Sequence, residues 1–216
     1  MQDIRFPFLM VFLILMSFSV RPQGSKFRGF IHGGITASQI SGDGAYGFVQ
    51  FGAYAGPGIQ MNLSERWNLA YSLVFNQKGS RIYKSSNSIN TYRLRVNYAE
   101  SPFLVGYEYR KINFAAGPYL GVKINQREST QFGIVEDPRI FNRFDFGAQF
   151  QVAYPLTEKI RVNLAYQNSL IPVRAHASQL AYPPSNFILG DWHRKLLDKG
   201  QYFSLLTLYF SYSLGN

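Results

Sequence analysis

The sequence predicts an all-β protein: an eight-stranded antiparallel up-and-down transmembrane β-barrel with its apolar face turned to lipid. Three observations lead there. Segments of strict apolar/polar alternation recur about eight times, the period of a strand with one wet and one greasy face. The connections between them alternate short and long, as in barrels with tight turns at one membrane face and longer loops at the other. An apolar stretch precedes the first strand and reads as an export signal.

Residues 1–19, MQDIRFPFLMVFLILMSFS, have Arg5 in a short polar start, an apolar run and small residues near its end. The run is too short for a comfortable membrane helix, and a cleaved signal is expected, with a single N-terminal anchor as the alternative. Residues 20–26 form a short lead, and the barrel is expected over 27–216. Its first two segments are FRGFIHGGITASQI (27–40) and GFVQFGAYAGPGIQMNL (47–63). WNLAYSLVFNQKGSRIY (67–83) sets Trp67, Leu69, Tyr71, Leu73 and Phe75 against Asn68, Ser72, Asn76 and Lys78. TYRLRVNY (91–98) alternates Tyr92, Leu94, Val96 and Tyr98 with Arg93, Arg95 and Asn97. INFAAGPYLGVKI (112–124), RFDFGAQFQVAY (143–154), KIRVNLAYQNSL (159–170) and QYFSLLTLYFSYSL (201–214) complete the set.

One stretch breaks phase. Apolar residues hold even positions through Tyr98 and odd positions from Phe103. A one-residue insertion restores the faces, so a bulge is expected between Ala99 and Pro102. Tight turns are expected at 64–66, 110–111 and 155–159. Longer loops are expected at 41–46, 84–90, 125–140 and 171–200.

Which face points inward decides the class. The polar face carries seven glycines (Gly34, Gly52, Gly56, Gly58, Gly117, Gly121 and Gly147), which leave room for long side chains in a narrow lumen. Lipid gives no such reason for glycine. Trp67, Tyr71, Tyr92, Tyr107, Tyr109, Tyr154 and Tyr166 suit interfacial girdles. Phe144, Phe146 and Phe150 are therefore expected to touch lipid. Arg93, Arg95, Glu108, Lys123, Arg143, Asp145 and Arg161 are expected to form an inward polar network, with Asp145 and Glu108 pairing the arginines, because a buried charge needs a partner. The alternative is a soluble periplasmic barrel with the phenylalanines inside.

GFIHGGITASQISGDG, YSLVFNQKGSRIY, NYAESPFLVGYEY, NFAAGPYLG and FDFGAQFQVAY occur in that order. Together they resemble the PorT-like outer-membrane β-barrel family of the Bacteroidetes over nearly all of the mature chain. The resemblance implies an outer-membrane barrel in the Gram-negative cell envelope. The family takes its name from a component of a gliding and secretion apparatus, a role the resemblance does not carry over. The closing SLGN departs from the terminal aromatic of many outer-membrane proteins.

Composition narrows the chemistry. With no Cys, disulfides, thiol catalysis, thiolate metal sites and lipoprotein processing are excluded. The net charge of +10 is scattered over alternating segments, without a basic block or zinc-finger spacing, so nucleic acid is not an expected partner; anionic headgroups suit the charge better. His32, His176 and His193 are the only histidines. Their spacing specifies neither a triad nor a metal site, and no cofactor is expected. Eight strands enclose a lumen that side chains fill, which favours a plug over a pore.

In the last loop, DWHRKLLDKG reads as a short helix capped by Asp191 and ended by Gly200. Arg174, His176, Trp192, His193, Arg194, Lys195 and Leu196 are the candidate contacts for a partner or for lipopolysaccharide phosphates. A structured lid is the plain alternative. The expected role is non-enzymatic, structural or partner-docking, for a monomeric barrel or a subunit of an envelope complex with periplasmic termini. The alternatives are a lipid A or phospholipid modifying enzyme and an accessory barrel of a secretion apparatus.

Overall fold

The computed structural model describes residues 27–41, 47–82, 91–135, 140–174 and 200–215. Residues 1–26, with the expected signal and lead, lie outside them, as do His176, Trp192, His193, Arg194, Lys195 and Leu196. The described residues form ten strands: β1 (Phe27–Ser41), β2 (Gln50–Asn62), β3 (Trp67–Ser72), β4 (Val74–Ile82), β5 (Tyr92–Tyr109), β6 (Ile112–Thr130), β7 (Gly133–Ile134), β8 (Phe144–Pro155), β9 (Ile160–Ser169) and β10 (Tyr202–Leu214).

They make eight positions of one closed antiparallel ring. β3 and β4 share a position, since both pair β2 on one side and β5 on the other. Leu73 separates them opposite Pro57, which has no N–H to give the ladder; Leu73 N instead donates to Pro57 O at 2.9 Å. The two-residue β7 only extends β6. The remaining pairs join neighbours in sequence, and β1 with β10 closes the ring. Closure removes the sheet edges that would otherwise expose unpaired backbone to lipid.

The three short connections, 63–66, 110–111 and 156–159, lie at one end together with Phe27 and Leu214. This is the turn end; the opposite end is the loop end. Arg110, in the two-residue turn, takes a left-handed φ of 58°.

The strands face as the inside-out reading requires. On β8, Phe146 is 41% exposed and Phe150 49%, while Asp145 is fully buried. Ile31, Ile35, Phe51, Leu120, Leu164 and Leu208 are likewise exposed, and form part of the apolar belt. At the turn end, Trp67 packs edge-on against Tyr107 at 5.0 Å, and Tyr109, Tyr154 and Tyr212 at the same end are exposed. Tyr92 belongs to no such girdle; it packs against the buried cluster at the loop end.

Two boundaries differ from the sequence reading. β5 keeps one face inward along its whole length, with Leu94, Val96, Tyr98, Glu100, Pro102 and Leu104 all buried. No bulge lies between Ala99 and Pro102. The register instead shifts opposite Asn97/Tyr98, where β6 carries Ile124 and Asn125 both exposed. The sequence changes phase because polarity inverts along the strand. Nearer the loop end its apolar residues point in and its arginines out, as in a water-soluble barrel. Second, Asn125–Thr130 are strand and not loop: β6 continues with β5 as far as Tyr92↔Thr130, while its pairing with β8 ends at Val122↔Phe144. β4, β5 and β6 thus extend beyond that part of the ring.

An arginine placed on the lipid face costs roughly 2–4 kcal/mol at the bilayer midplane and about 0–1 kcal/mol near an interface. Phe150 lies mid-strand and Phe144 at the loop-end edge of β8. Phe150→Arg is expected to lower the folding midpoint in lipid vesicles clearly more than Phe144→Arg. Heat-modifiability gels over a urea series read both, and equal tolerance of the two would count against the lipid-facing assignment.

Candidate functional site

The lumen is filled in layers. Nearest the turn end, Arg161 Nη1 donates to Gln60 Oε1 at 3.0 Å, and its guanidinium lies 5.3 Å from the Phe30 ring centre. Arg28 and Glu108 are its charged neighbours. His32 Nδ1 is 2.8 Å from Ser211 Oγ, and Nε2 is 3.2 Å from Ser72 Oγ. Asn163 Nδ2 donates to Ser211 Oγ at 2.7 Å. The cavity among these groups measures about 40 Å³, room for about three or four waters at roughly 10–15 Å³ each. Above it, Tyr54 and Tyr209 meet at 4.8 Å against Val74 and Ala165.

The next layer holds three fully buried charges. Lys78 Nζ contacts Asp145 Oδ2 at 2.6 Å and also pairs with Glu100. The ring centres of Tyr98, Tyr119 and Phe203 lie 4.9, 4.9 and 5.1 Å from the ammonium, so the cation sits in an aromatic cage. Asn76 and Gln167 donate to Glu100 Oε2 at 2.9 and 3.2 Å. Tyr119 donates to Asp145 Oδ2 at 3.2 Å. Gly147 is required here, because a Cβ would collide with the Tyr119 ring and with the Asn168 carbonyl. Toward the loop end the filling becomes apolar: Ile40, Leu94, Val96, Phe141, Val173 and Leu205 pack on Tyr98 and Phe203.

A family model for the outer membrane protein beta-barrel domain matches residues 21–174, more than half of the chain. The chain belongs to this outer-membrane β-barrel family. It is a small outer-membrane barrel, and it crosses the membrane with strands.

No curated protein matches the sequence. Among solved structures, the barrel is similar to Ail, the attachment invasion locus protein of Yersinia pestis, at 9% identity and TM-score 0.42, covering 87% of this chain and 98% of that one. It is similar to Neisserial surface protein A at 12% identity and TM-score 0.43, covering 87% and 97%. It is also similar to OprG of Pseudomonas aeruginosa at 10% identity and TM-score 0.41, covering 88% and 96%.

In this outer-membrane barrel the expected inward network is partly relocated. Asp145 is inward, but its partner is Lys78. Arg161 and Glu108 lie on the inward parity near the turn end. Lys123 Nζ turns in at the loop end and bonds Gln126 Oε1 at 3.2 Å and the Phe141 carbonyl. Arg93 and Arg95 are corrected: they face outward, because Leu94, Val96 and Tyr98 take the inside of β5. Arg143 is corrected too. It is exposed just before β8, with its guanidinium 5.9 Å from the Phe144 ring centre.

Arg174 is not an exposed loop cation. It is buried, donates to Gln201 Oε1 at 2.7 Å, pairs with Glu128 at 3.5 Å and stacks over Phe141 at 4.4 Å. The sequence reading placed Lys78 on the polar face without entering it in the network. Glu100 was hidden by the bulge expected at Ala99–Pro102.

The His32 cluster is not a hydrolase triad. A triad needs one imidazole nitrogen on the nucleophile and the other on an orienting acid or amide. Both His32 nitrogens meet hydroxyls, and the cavity beside them is far smaller than an acyl chain. Among the described residues no three His, Cys, Asp or Glu side chains group to hold a metal ion.

Removing one partner of a buried ion cluster strands the others, at a cost of about 3–5 kcal/mol. Lys78→Met leaves two carboxylates in the aromatic cage and is expected to destabilise the barrel by that amount. Restoring charge balance with Lys78→Met/Glu100→Gln/Asp145→Asn should recover part of the loss. Urea unfolding in lipid vesicles measures both; a Lys78→Met barrel as stable as the wild type would contradict the role given to the cluster.

Proposed function

We propose that this outer-membrane barrel has a non-enzymatic, structural or partner-docking role in the envelope, and that it works through its exterior and loop end rather than its lumen. One observation carries this reading. The charged layer and the apolar layer above it fill the interior across the ring, leaving no wide aqueous passage among the described residues. The cavity described in the turn-end layer holds no more than a few waters.

In this reading residues 1–19 are an export signal that is removed, the turn end and both termini lie in the periplasm, and the loops face outward. The order of the PorT-like segments supports a PorT-like barrel. An accessory barrel of a secretion apparatus is the alternative form of this docking role. In the last loop, 171–200, His176, Trp192, His193, Arg194, Lys195 and Leu196 are the proposed contacts for envelope proteins or lipopolysaccharide.

The reading is tested by reconstituting the purified protein in liposomes and planar bilayers. Sugar-driven swelling at the level of protein-free liposomes, with no stable single-channel steps, is expected. Swelling at porin-like rates would overturn it. The enzymatic alternative is tested separately. His32→Ala, His176→Ala and His193→Ala are each expected to leave lipid A and phospholipid profiles unchanged, and a changed profile in any one would revive a lipid-modifying activity.

A further inference from the structure

The turn-end cavity has two kinds of wall. On β8, β9 and β10 the polar groups are spent on one another. Gln151 Nε2 donates to Asn163 Oδ1 at 3.2 Å, Asn163 Nδ2 to Ser211 Oγ at 2.7 Å, and the Tyr209 hydroxyl to Gln151 Oε1 at 2.6 Å. Two donors on the same cavity are not spent. Asn113 is 9% exposed, and its Nδ2 is buried without a hydrogen-bond partner. Arg161 is half-buried, and its fork of N–H groups meets one acceptor among the described residues, Gln60 Oε1 at 3.0 Å. A buried donor left without a partner in a native fold calls for an explanation, such as a ligand that supplies the acceptor.

The register brings these donors to one place. Asn113 on β6 stands beside Ala153 on β8, and Ala153 beside Asn163 on β9, with Arg161 one inward step nearer the turn end. Ala153 is too short to fill the space between Asn113 and Arg161. Phe30 and Leu104 add apolar surface to the same cavity. Tyr54 and Tyr209 close its floor, and the charged layer lies behind them, so the cavity is blind.

Charge and size select the occupant. The charged neighbours of Arg161 are Arg28 and Glu108, and Glu108 forms no ion pair with it among the described residues. One carboxylate against two guanidinium groups leaves a positive charge over, which favours an anion. A guanidinium fork matches a carboxylate with two parallel hydrogen bonds. Room for about three or four waters is room for a carboxylate and the carbon that carries it.

We propose that Arg161 and Asn113 form a carboxylate-binding site in the turn-end cavity. The guanidinium takes the two carboxylate oxygens, and Asn113 Nδ2 donates a further hydrogen bond. The site adds a turn-end contact to the loop-end role proposed above and opens no passage. In the orientation proposed there it faces the periplasm. Its ligand is a short-chain acid or the free C-terminal carboxylate of a peptide.

The test is NMR of the full chain folded in detergent micelles and titrated with propionate at fixed ionic strength. The side-chain amide of Asn113 and the Nε–H of Arg161 are both expected to shift saturably. Propionamide, which has the same shape without the charge, should leave them in place, and phosphate should act far more weakly than propionate. Arg161→Gln, read at Asn113, is expected to raise the half-saturating propionate concentration about tenfold or more, as loss of charge-assisted hydrogen bonds predicts. Arg161→Lys, which keeps the charge without the fork, should fall between. Asn113→Asp, read at Arg161, turns a carboxylate toward the site and should abolish binding. Heat-modifiability of each variant confirms that it is folded.

An unchanged titration in the folded Arg161→Gln barrel would overturn the site, and so would equal shifts from propionamide. Phosphate binding as tightly as propionate would overturn the carboxylate assignment. Trialanine and its C-terminal amide separate the two sources. Saturation by trialanine at or below the propionate concentration, with the amide inert, assigns a peptide terminus; weaker binding by trialanine assigns a free short-chain acid. The micelle titration does not depend on orientation, so a flat propionate titration rejects the site and leaves the loop-end role standing.

Discussion

A single ammonium, Lys78 Nζ, ties β4 to β5 and β8 across the interior of the ring. Each buried ion costs several kcal/mol to desolvate, and attraction offsets this only where the geometry is good and the remaining polar atoms are satisfied. Here Asn76, Gln167 and Tyr119 supply hydrogen bonds to one oxygen of each carboxylate, three aromatic faces surround the cation, and Asp145 Oδ1 is left buried without a hydrogen bond. The cluster closes the lumen where a pore would have to pass, and it fixes which strands face one another across the ring. That closure shifts the working surfaces to the outside wall and the rim.

Polarity inverts at one level around much of the barrel. On β1, Ile31 and Ile35 point out while Ile40 points in; on β10, Leu208 and Leu206 point out while Leu205 and Phe203 point in; on β5, Phe103 points out while Val96 and Leu94 point in. Below that level the outside is hydrocarbon and the inside is a polar network. Above it the inside is an ordinary apolar core, and on β5 and β6 the outside meets water or headgroups. The chain obeys one rule throughout, that apolar side chains avoid water, but the location of the water changes along each strand.

This inversion explains what could be read from the sequence and what could not. RFDFGAQFQVAY lies mostly within the belt, so its alternation gives the faces of Phe144, Asp145, Phe146 and Phe150 as the structure has them. Gly147 on the inward face is likewise legible, since a narrow lumen needs space opposite Tyr119. TYRLRVNY lies above the belt, where the same pattern means the reverse. Applying the belt's rule to it put Arg93 and Arg95 inside and produced a bulge that β5 does not contain. The partners of the buried charges were illegible for a second reason. Lys78, Glu100 and Asp145 are brought together by the closed ring, and no local spacing encodes that meeting. The burial of Arg174 is illegible for the same reason, since its partner Glu128 lies in a stretch of β6 without a strand's apolar/polar alternation.

The inside-out arrangement is tested most directly by its period. The chain has no Cys, so single cysteines can be placed one at a time from 143 to 154, leaving out Asp145 and Gly147, and spin-labelled in the barrel reconstituted in lipid vesicles. Collision with dissolved oxygen, which concentrates in the bilayer, should peak at positions 144, 146, 148, 150 and 152 and fall at 149, 151 and 153. The opposite phase, or no alternation of period two, would contradict the barrel described.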